Sequence, residues 1–504
     1  MRVSMSGEFQ HQCMQARRVI HVKWFFSAAM MLAVSQSAFA FDVFNTESQM
    51  SNPRWISGQS TMSYRGCRGD VATEPLELAD AVDQALCNSP KTRAVWAQVK
   101  AQAAQVGQAK AAFLPTISAS WQGVRDDQLT DVADHPTLSS NHRATIQTSS
   151  VWMDWVLYDF GARSAALSNT KSLMNAAKYQ FDAQLQETFS TVATDYYGAV
   201  AADEKFATAR ESASIAENSL KVAAARVARG VASISDELQA RTAYTKARLQ
   251  ETQAEKAKLT SLGVLLSDMN LIPDAGVVLA KEEIGPSSAQ RFVESVGDLM
   301  TEARLTHPSV EAARAQVDAA EASEAQLRAQ GLPKFSLVAK YSRNNQPASL
   351  GLGSPQFAAT GHDWYVGFQV QIPLFEGFGR VYQVREAHAK AEQKRFEWDE
   401  AKRQVGLNVW KAYQDLQGNT VSLRTVDELL DAAQGAFDAA TRRYAIGATS
   451  IIELLNAQAS LADAKQQRVQ AIADWNASRL RLAATVGRLD SNVFAELSGN
   501  LPRR

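Results

Sequence analysis

A mostly helical chain with a small β part, built from two like halves, is what this sequence predicts, and three observations predict it. The stretch 443–456, with Arg443, Tyr444, Gly447, Ser450, Glu453 and Asn456, has a second version at 226–238, with Arg226, Gly230, Ser233, Asp236 and Leu238, 217 residues earlier. Long runs free of proline carry apolar residues at helical spacing, and short segments between them alternate apolar with polar residues. The order helix, strand, strand, helix, helix occurs twice, which is a tandem duplication.

Residues 1–40 read as a secretory signal peptide. Arg17, Arg18 and Lys23 precede an apolar run at 24–34, and Ala38, Phe39 and Ala40 form a small-x-small cleavage site, with cleavage expected after Ala40. The competing reading is a membrane anchor, but the apolar run falls well short of the roughly 20 residues that span a bilayer. The residues before Met14 are polar and longer than an export signal needs, which makes Met14 a candidate start. Residues 41–75 are polar, rich in Ser and Gly, and without a sustained period, as expected of an extended arm. Cys67 and Cys87 remain after Cys13 leaves with the signal. In an oxidising compartment they form either a disulfide stapling the arm to the first helix or two buried free thiols, and spacing alone leaves both readings open.

The first half, 76–272, opens with an Ala- and Gln-rich helix that continues to Phe113, where Leu114-Pro115 stops it. Strands are expected at 116–124 and 144–158. The first puts Ile117, Ala119 and Trp121 on one side and Ser118, Ser120 and Gln122 on the other. From the junction ending in Gly161 and Arg163 a helix runs to Gly230, on the order of 100 Å at about 1.5 Å per residue. Its partner ends near Asn270. A linker at 273–290, with Pro273 and Pro286, separates the halves. The second half, 291–488, repeats the programme with strands at 334–342 and 364–374, a junction at Glu376, Gly379 and Arg380, and a hairpin turning near Gly447. A tail at 489–504 closes the chain. At each tip the lone glycine supplies the positive φ of a helix end, Ser233 or Ser450 can cap the next helix, and Asp236 or Glu453 falls in its first turn.

The strands carry one part of the function. Trp364, Val366, Phe368, Val370 and Ile372 share one face, and Tyr365, Gly367, Gln369 and Gln371 the other. An apolar outside, a polar inside and a length near 11 residues fit a tilted transmembrane β-strand. A soluble sheet covered by a core is the alternative. Asp154 must then face a lumen or the interface, because a charge in lipid costs several kcal/mol. Four strands cannot close a barrel, since the smallest bacterial barrels have about eight, so a membrane chain of this kind must oligomerise. The helices agree: apolar and Ala positions such as Val426, Leu430, Ala433, Phe437, Ala440 and Tyr444 step by three and four, the spacing of coiled coils.

Catalytic and nucleic-acid functions find no support. Phosphate-cradling glycine loops, zinc-protease helices, nucleophile elbows and Cys-x-x-Cys pairs are missing from the sequence, and no cofactor is expected. The net charge is −1, and Lys and Arg are spread along the helices without an aromatic-interleaved patch. An exported coiled-coil scaffold without a pore is the alternative from another class.

The two halves, the Leu-Pro before each first strand, the junctions at Leu157 to Gly161 and Leu374 to Gly379, and the tips at Gly230 and Gly447 together resemble the TolC family of outer-membrane channel proteins, over about 75–488. The resemblance implies a homotrimer. Three chains with four strands each give a 12-stranded barrel in the outer membrane, continued by an α-helical barrel across the periplasm. It also implies docking of the tips, at Gly230 and Gly447, to a periplasmic adaptor and an inner-membrane ABC or proton-driven transporter. The segment around Leu86 to Arg93 resembles the branch that serves type I toxin secretion, with small-molecule efflux as the other use of such a duct. The family closes its periplasmic entrance with a Tyr before the tip glycine and acids after it. Tyr444 matches the tyrosine, Glu453 the first acid of the second repeat and Asp236 that of the first. Asn456 stands where a second acid is expected and Thr449 where an arginine is expected, so a tight aspartate ring is not implied here. Three copies each of Glu453 and Asp236 around an axis would favour cations. The plainer reading is that both are first-turn acids stabilised by the helix dipole.

Overall fold

The computed structural model describes residues 42–46, 48, 75–273, 276–280, 295–347, 357 and 359–487. The expected signal peptide, most of the 41–75 arm with Cys67, most of the 273–290 linker and the 489–504 tail lie outside the described residues. Met1–Gln49 and Met50–Arg504 are separate units. In the first, the Thr46 hydroxyl donates to the Asp42 carboxylate at 3.2 Å.

The second unit runs α1 (Leu78–Asn88), α2 (Pro90–Ala111), β1 (Thr116–Thr130), β2 (Ser140–Tyr158), α3 (Ala162–Ala228) and α4 (Ile234–Asp268). The second half repeats it as α5 (Val296–Thr306), α6 (Pro308–Ala329), β3 (Lys334–Asn344), β4 (Gly361–Gln371), α7 (Gly379–Ala445) and α8 (Ile451–Val486). The duplication extends to helix length, since α3 and α7 are both 67 residues. The single opening helix expected in each half is in fact two. Pro90 and Pro308 occupy the first helical position, where the missing N–H costs nothing, but each forces the residue before it out of helical backbone. Ser89 (ψ 125°) and His307 (ψ 131°) take that extended conformation.

Packing follows the same doubling. Leu78, Val82 and Leu86 of α1 bury against Phe181, Leu185 and Phe189 of α3. Leu299 and Ala303 of α5 bury against Val405, Val409 and Ala412 of α7. The chain between the halves returns to its start: Leu76 pairs with Leu279 in a parallel bridge, and the Tyr196 hydroxyl donates to the Leu76 carbonyl at 3.1 Å. Gly487, which closes α8, lies against His307, which opens α6, so these two helices follow one another along α3. No described helix is long and apolar enough to cross a membrane. Cys87 is disulfide-bonded.

The four strands form one antiparallel sheet in chain order, with β2 and β3 joining the halves and β1 and β4 as its edges. β1 runs past the expected 116–124, and β4 ends at Gln371 rather than 374. Ile372 therefore falls just outside the strand, because Pro373 removes the donor that would extend the ladder. The register sorts the side chains into two faces. Ile117, Met153, Ala339 and Val366 stand side by side, as do Ala119, Val151, Tyr341 and Trp364. Phe368 on this face is 81% exposed and Trp364 70%. The opposite face carries Ser118, Trp152, Lys340 and Tyr365 in one row and Thr116, Asp154, Val338 and Gly367 in the next. Asp154 thus shares the polar side.

Each strand-to-helix junction is clamped by an arginine. Arg163 bonds Asp159 at 2.9 Å and donates to the carbonyls of Val156 and Ala112. Arg380 holds Glu376 with two parallel bonds and reaches Leu327. Between acid and arginine, two successive residues have positive φ in both halves: Phe160 and Gly161, then Gly377 and Phe378. The counterpart of Gly161 is therefore Phe378, not Gly379. A left-handed Phe costs about 1–2 kcal/mol, and the clamp's charge-assisted bonds offset it.

Candidate functional site

The hairpin tips are where the two halves meet with unlike side chains on a like backbone. α7 stops because Gly447 turns left-handed (φ 78°), which lets its N–H reach the Tyr444 carbonyl and lets Ala448 N–H reach Arg443. Gly230 (φ 73°) does the same to α3, with its N–H on Val227 and Val231 N–H on Arg226. The next helix is then capped. Ser450 Oγ accepts from Glu453 N–H at 3.4 Å, whereas Ser233 Oγ donates to the Asp236 carboxylate at 2.9 Å and leaves the backbone alone.

Side chains of both hairpins form one small core at the tips. Ala223 and Ala240 come from the first, and Ala440, Tyr444, Ile451 and Leu454 from the second. Tyr444 is 5% exposed and its hydroxyl has no partner among the described residues. Burial pushes that phenol above its ordinary range, with Asp236 adding to the shift and Arg226 opposing it. Arg226 crosses from the first hairpin: Nη1 donates to the Tyr444 carbonyl at 2.6 Å, and the guanidinium lies 4.7 Å from the centre of the Tyr444 ring. A Cβ on Gly447 would sit 3.4 Å from Arg226 Nη2.

The acids are not bare. Glu453 takes Arg443 Nη1 at 2.8 Å on one oxygen and the Thr449 hydroxyl on the other. Thr449, in the place of the expected arginine, thus holds the acid within its own turn. Asp236 is held by Ser233, and Asn456 is exposed on α8. The structure therefore brings Tyr444, Glu453 and Thr449 together at the second tip and sets Asp236 on the first. Within the protomer both carboxylates have partners, Glu453 in Arg443 and Thr449 and Asp236 in Ser233. Sequence reasoning overlooked Arg226 and Arg443, although both lie four residues before a tip glycine and 217 apart. Above the tips, Ser219 bonds Gln458 at 3.2 Å and Glu211 pairs with Lys465 at 2.9 Å, rungs that keep α3 against α8. No group of three or more acidic, His or Cys side chains that could hold a metal occurs among the described residues.

Comparison with known proteins places this geometry. The family model described as "Outer membrane efflux protein" matches residues 81–267 and 299–488, one match per half. The chain belongs to that family, and with it to the outer-membrane channels that extend into the periplasm as trimers, each chain giving four strands to a shared barrel. It is 32% identical to protein CyaE of Bordetella pertussis over 422 residues, which is 84% of this chain and 86% of that one. It is 23% identical to the alkaline protease secretion protein AprF of Pseudomonas aeruginosa, over 84% of this chain and 87% of that one. Among solved structures, the outer membrane protein VceC of Vibrio cholerae superposes with a TM-score of 0.69 at 17% identity, covering 81% of this chain and 96% of that one.

Proposed function

We propose that this channel is the exit duct of a type I protein secretion machine. Three copies close the barrel, with Trp364, Val366, Phe368 and Val370 against outer-membrane lipid and Ile372 at its rim. The tips at Gly230 and Gly447 dock a periplasmic adaptor and an inner-membrane ABC transporter. The reading is carried by the four-stranded sheet, which has an apolar exposed face, a polar face and two unpaired edges, a surface that only sibling chains and lipid can complete. Similarity to CyaE and to a protein named for protease secretion supports a protein cargo over a small molecule. Similarity to channels named for efflux keeps small-molecule efflux, with a proton-driven transporter, as the second reading. In the exported chain Cys67 is the partner of Cys87.

The tips form the periplasmic gate, with Tyr444, Glu453 and Thr449 of the second repeat and Asp236 of the first closing it. In planar bilayers, Tyr444→Ala combined with Glu453→Ala raises single-channel conductance, while Tyr444→Phe, which keeps the ring against Arg226, raises it less. A double variant that conducts like the parent would reject the gate. Deleting the gene abolishes export of a large protein and leaves dye efflux intact; the reverse pattern selects the efflux reading.

A further inference from the structure

We propose that Arg226 is the latch of the closed channel, a positioning residue of the first hairpin that holds the second hairpin's turn and must let go for the duct to open. The proposal rests on reading the tips as a gate. One side chain makes two contacts with one turn, a 2.6 Å bond to the Tyr444 carbonyl and a stack on the Tyr444 ring, and it occupies the space beside Gly447 that a Cβ would enter. The carbonyl lies at the C-terminus of α7, where the helix dipole is negative; it already accepts the Gly447 N–H, and its second lone pair takes Arg226. A guanidinium is suited to that position, because its fork can donate in the plane while its face covers an aromatic ring. Arg226 therefore adds, from another hairpin, a cation to the two that α7 carries in its own last turn, Arg442 and Arg443.

The duplicated arginine shows that this bridge is not a by-product of the repeat. Arg443, at the same position of the second half, stays within its own hairpin on Glu453. The cross-link thus runs one way, from the first hairpin to the second. The rungs above it are exposed for Glu211 with Lys465 and partly buried for Ser219 with Gln458. The rung at the tip combines a charged donor with a buried acceptor residue, Tyr444.

The test uses the full-length oligomer in planar bilayers, with heat-resistant oligomer mobility as the check on folding. Arg226→Ala is expected to raise single-channel conductance several-fold with mobility unchanged, and Arg226→Lys, which keeps the charge but loses the fork and the stack, to fall between that variant and the parent. Combining Arg226→Ala with Tyr444→Ala should conduct no more than the stronger single variant, since both break one contact. Parental conductance in Arg226→Ala, while Tyr444→Ala with Glu453→Ala conducts more, overturns the latch and leaves the gate standing. If neither opens, the gate reading falls and takes the latch with it. Loss of oligomer mobility in both Arg226 variants assigns the residue to folding instead and also overturns the proposal.

Discussion

The first tip and the second share a backbone and almost nothing else. Ile234 and Ile451 are counterparts 217 residues apart, each opening the helix after the turn, yet Ile234 is 62% exposed and Ile451 2%. Val227 stands where Tyr444 stands, and Glu237 where Leu454 does. The second tip is apolar inward and bound by Arg226; the first leaves Val231, Ile234 and Leu238 uncovered within the protomer. Duplication preserved what the turn needs, a left-handed glycine and a serine after it, and released everything that packing decides. Higher up the same divergence recurs: Asp195 and Asp268 face one another on α3 and α4, where the second half has Ala412 and Thr485.

The largest expected difference lies between the isoleucines. Ile451→Ala should cost about 2–5 kcal/mol of local stability, the range for a buried aliphatic side chain. Ile234→Ala should stay within about 0.5 kcal/mol. Hydrogen exchange of the helices flanking each turn reads both, and an equal loss at Ile234 would mean that a neighbouring chain covers it. Next come the glycines. Gly230→Ala pays only the left-handed backbone, about 1–2 kcal/mol, because nothing lies within 4 Å of the added Cβ. Gly447→Ala carries the same backbone cost and its Cβ meets Arg226 only at an ordinary contact distance of 3.4 Å, so the two variants should melt alike; a lower melting temperature for Gly447→Ala would mean that the guanidinium cannot give way.

The smallest effect depends on pH. Asp195 is pushed from 3.8 up to about 7, first by burial and then by the hydrogen bond and repulsion from Asp268. The folded chain therefore keeps a proton that the unfolded chain releases, so this group's contribution is full below about pH 4 and is lost as pH rises towards 7. Asp83 and Asp182, raised to about 6 chiefly by burial, act in the same direction. His307, lowered to about 4 by burial, acts oppositely, losing its contribution as pH falls from 6.5 towards 4. Asp195→Asn, making the first half more like the second, should raise the melting temperature at pH 8 and change little at pH 4. A gain of the same size at both values would contradict the shared proton.

How much of this the sequence discloses depends on whether a feature is periodic or contingent. Helices, strands and the doubling are periodic, so 3.6- and two-residue patterns reveal them. The break before Pro308 hides because a proline in the first helical position does not disturb the apolar spacing on either side. β1 outruns 116–124 because Arg125, Asp126 and Asp127 interrupt the alternation while the backbone ladder with β2 continues. The tip glycines and Tyr444 stand out by their chemistry and position. Arg226 does not, since a long cation on a polar helix looks like solvated surface until the partner hairpin is folded beside it. Glu453 was visible as an acid, but that Arg443 and Thr449 would occupy both its oxygens depends on rotamers that one-dimensional spacing does not encode.

The meeting of Gly487 with His307 has a mechanical meaning. A wall built from α3 and α7 as unbroken staves, flanked by α8 and α6 laid end to end, has a seam partway along its height. Swinging the lower hairpin outward would part that seam and flex the staves while leaving the part above it in place, so motion at the mouth need not disturb the portion anchored in lipid.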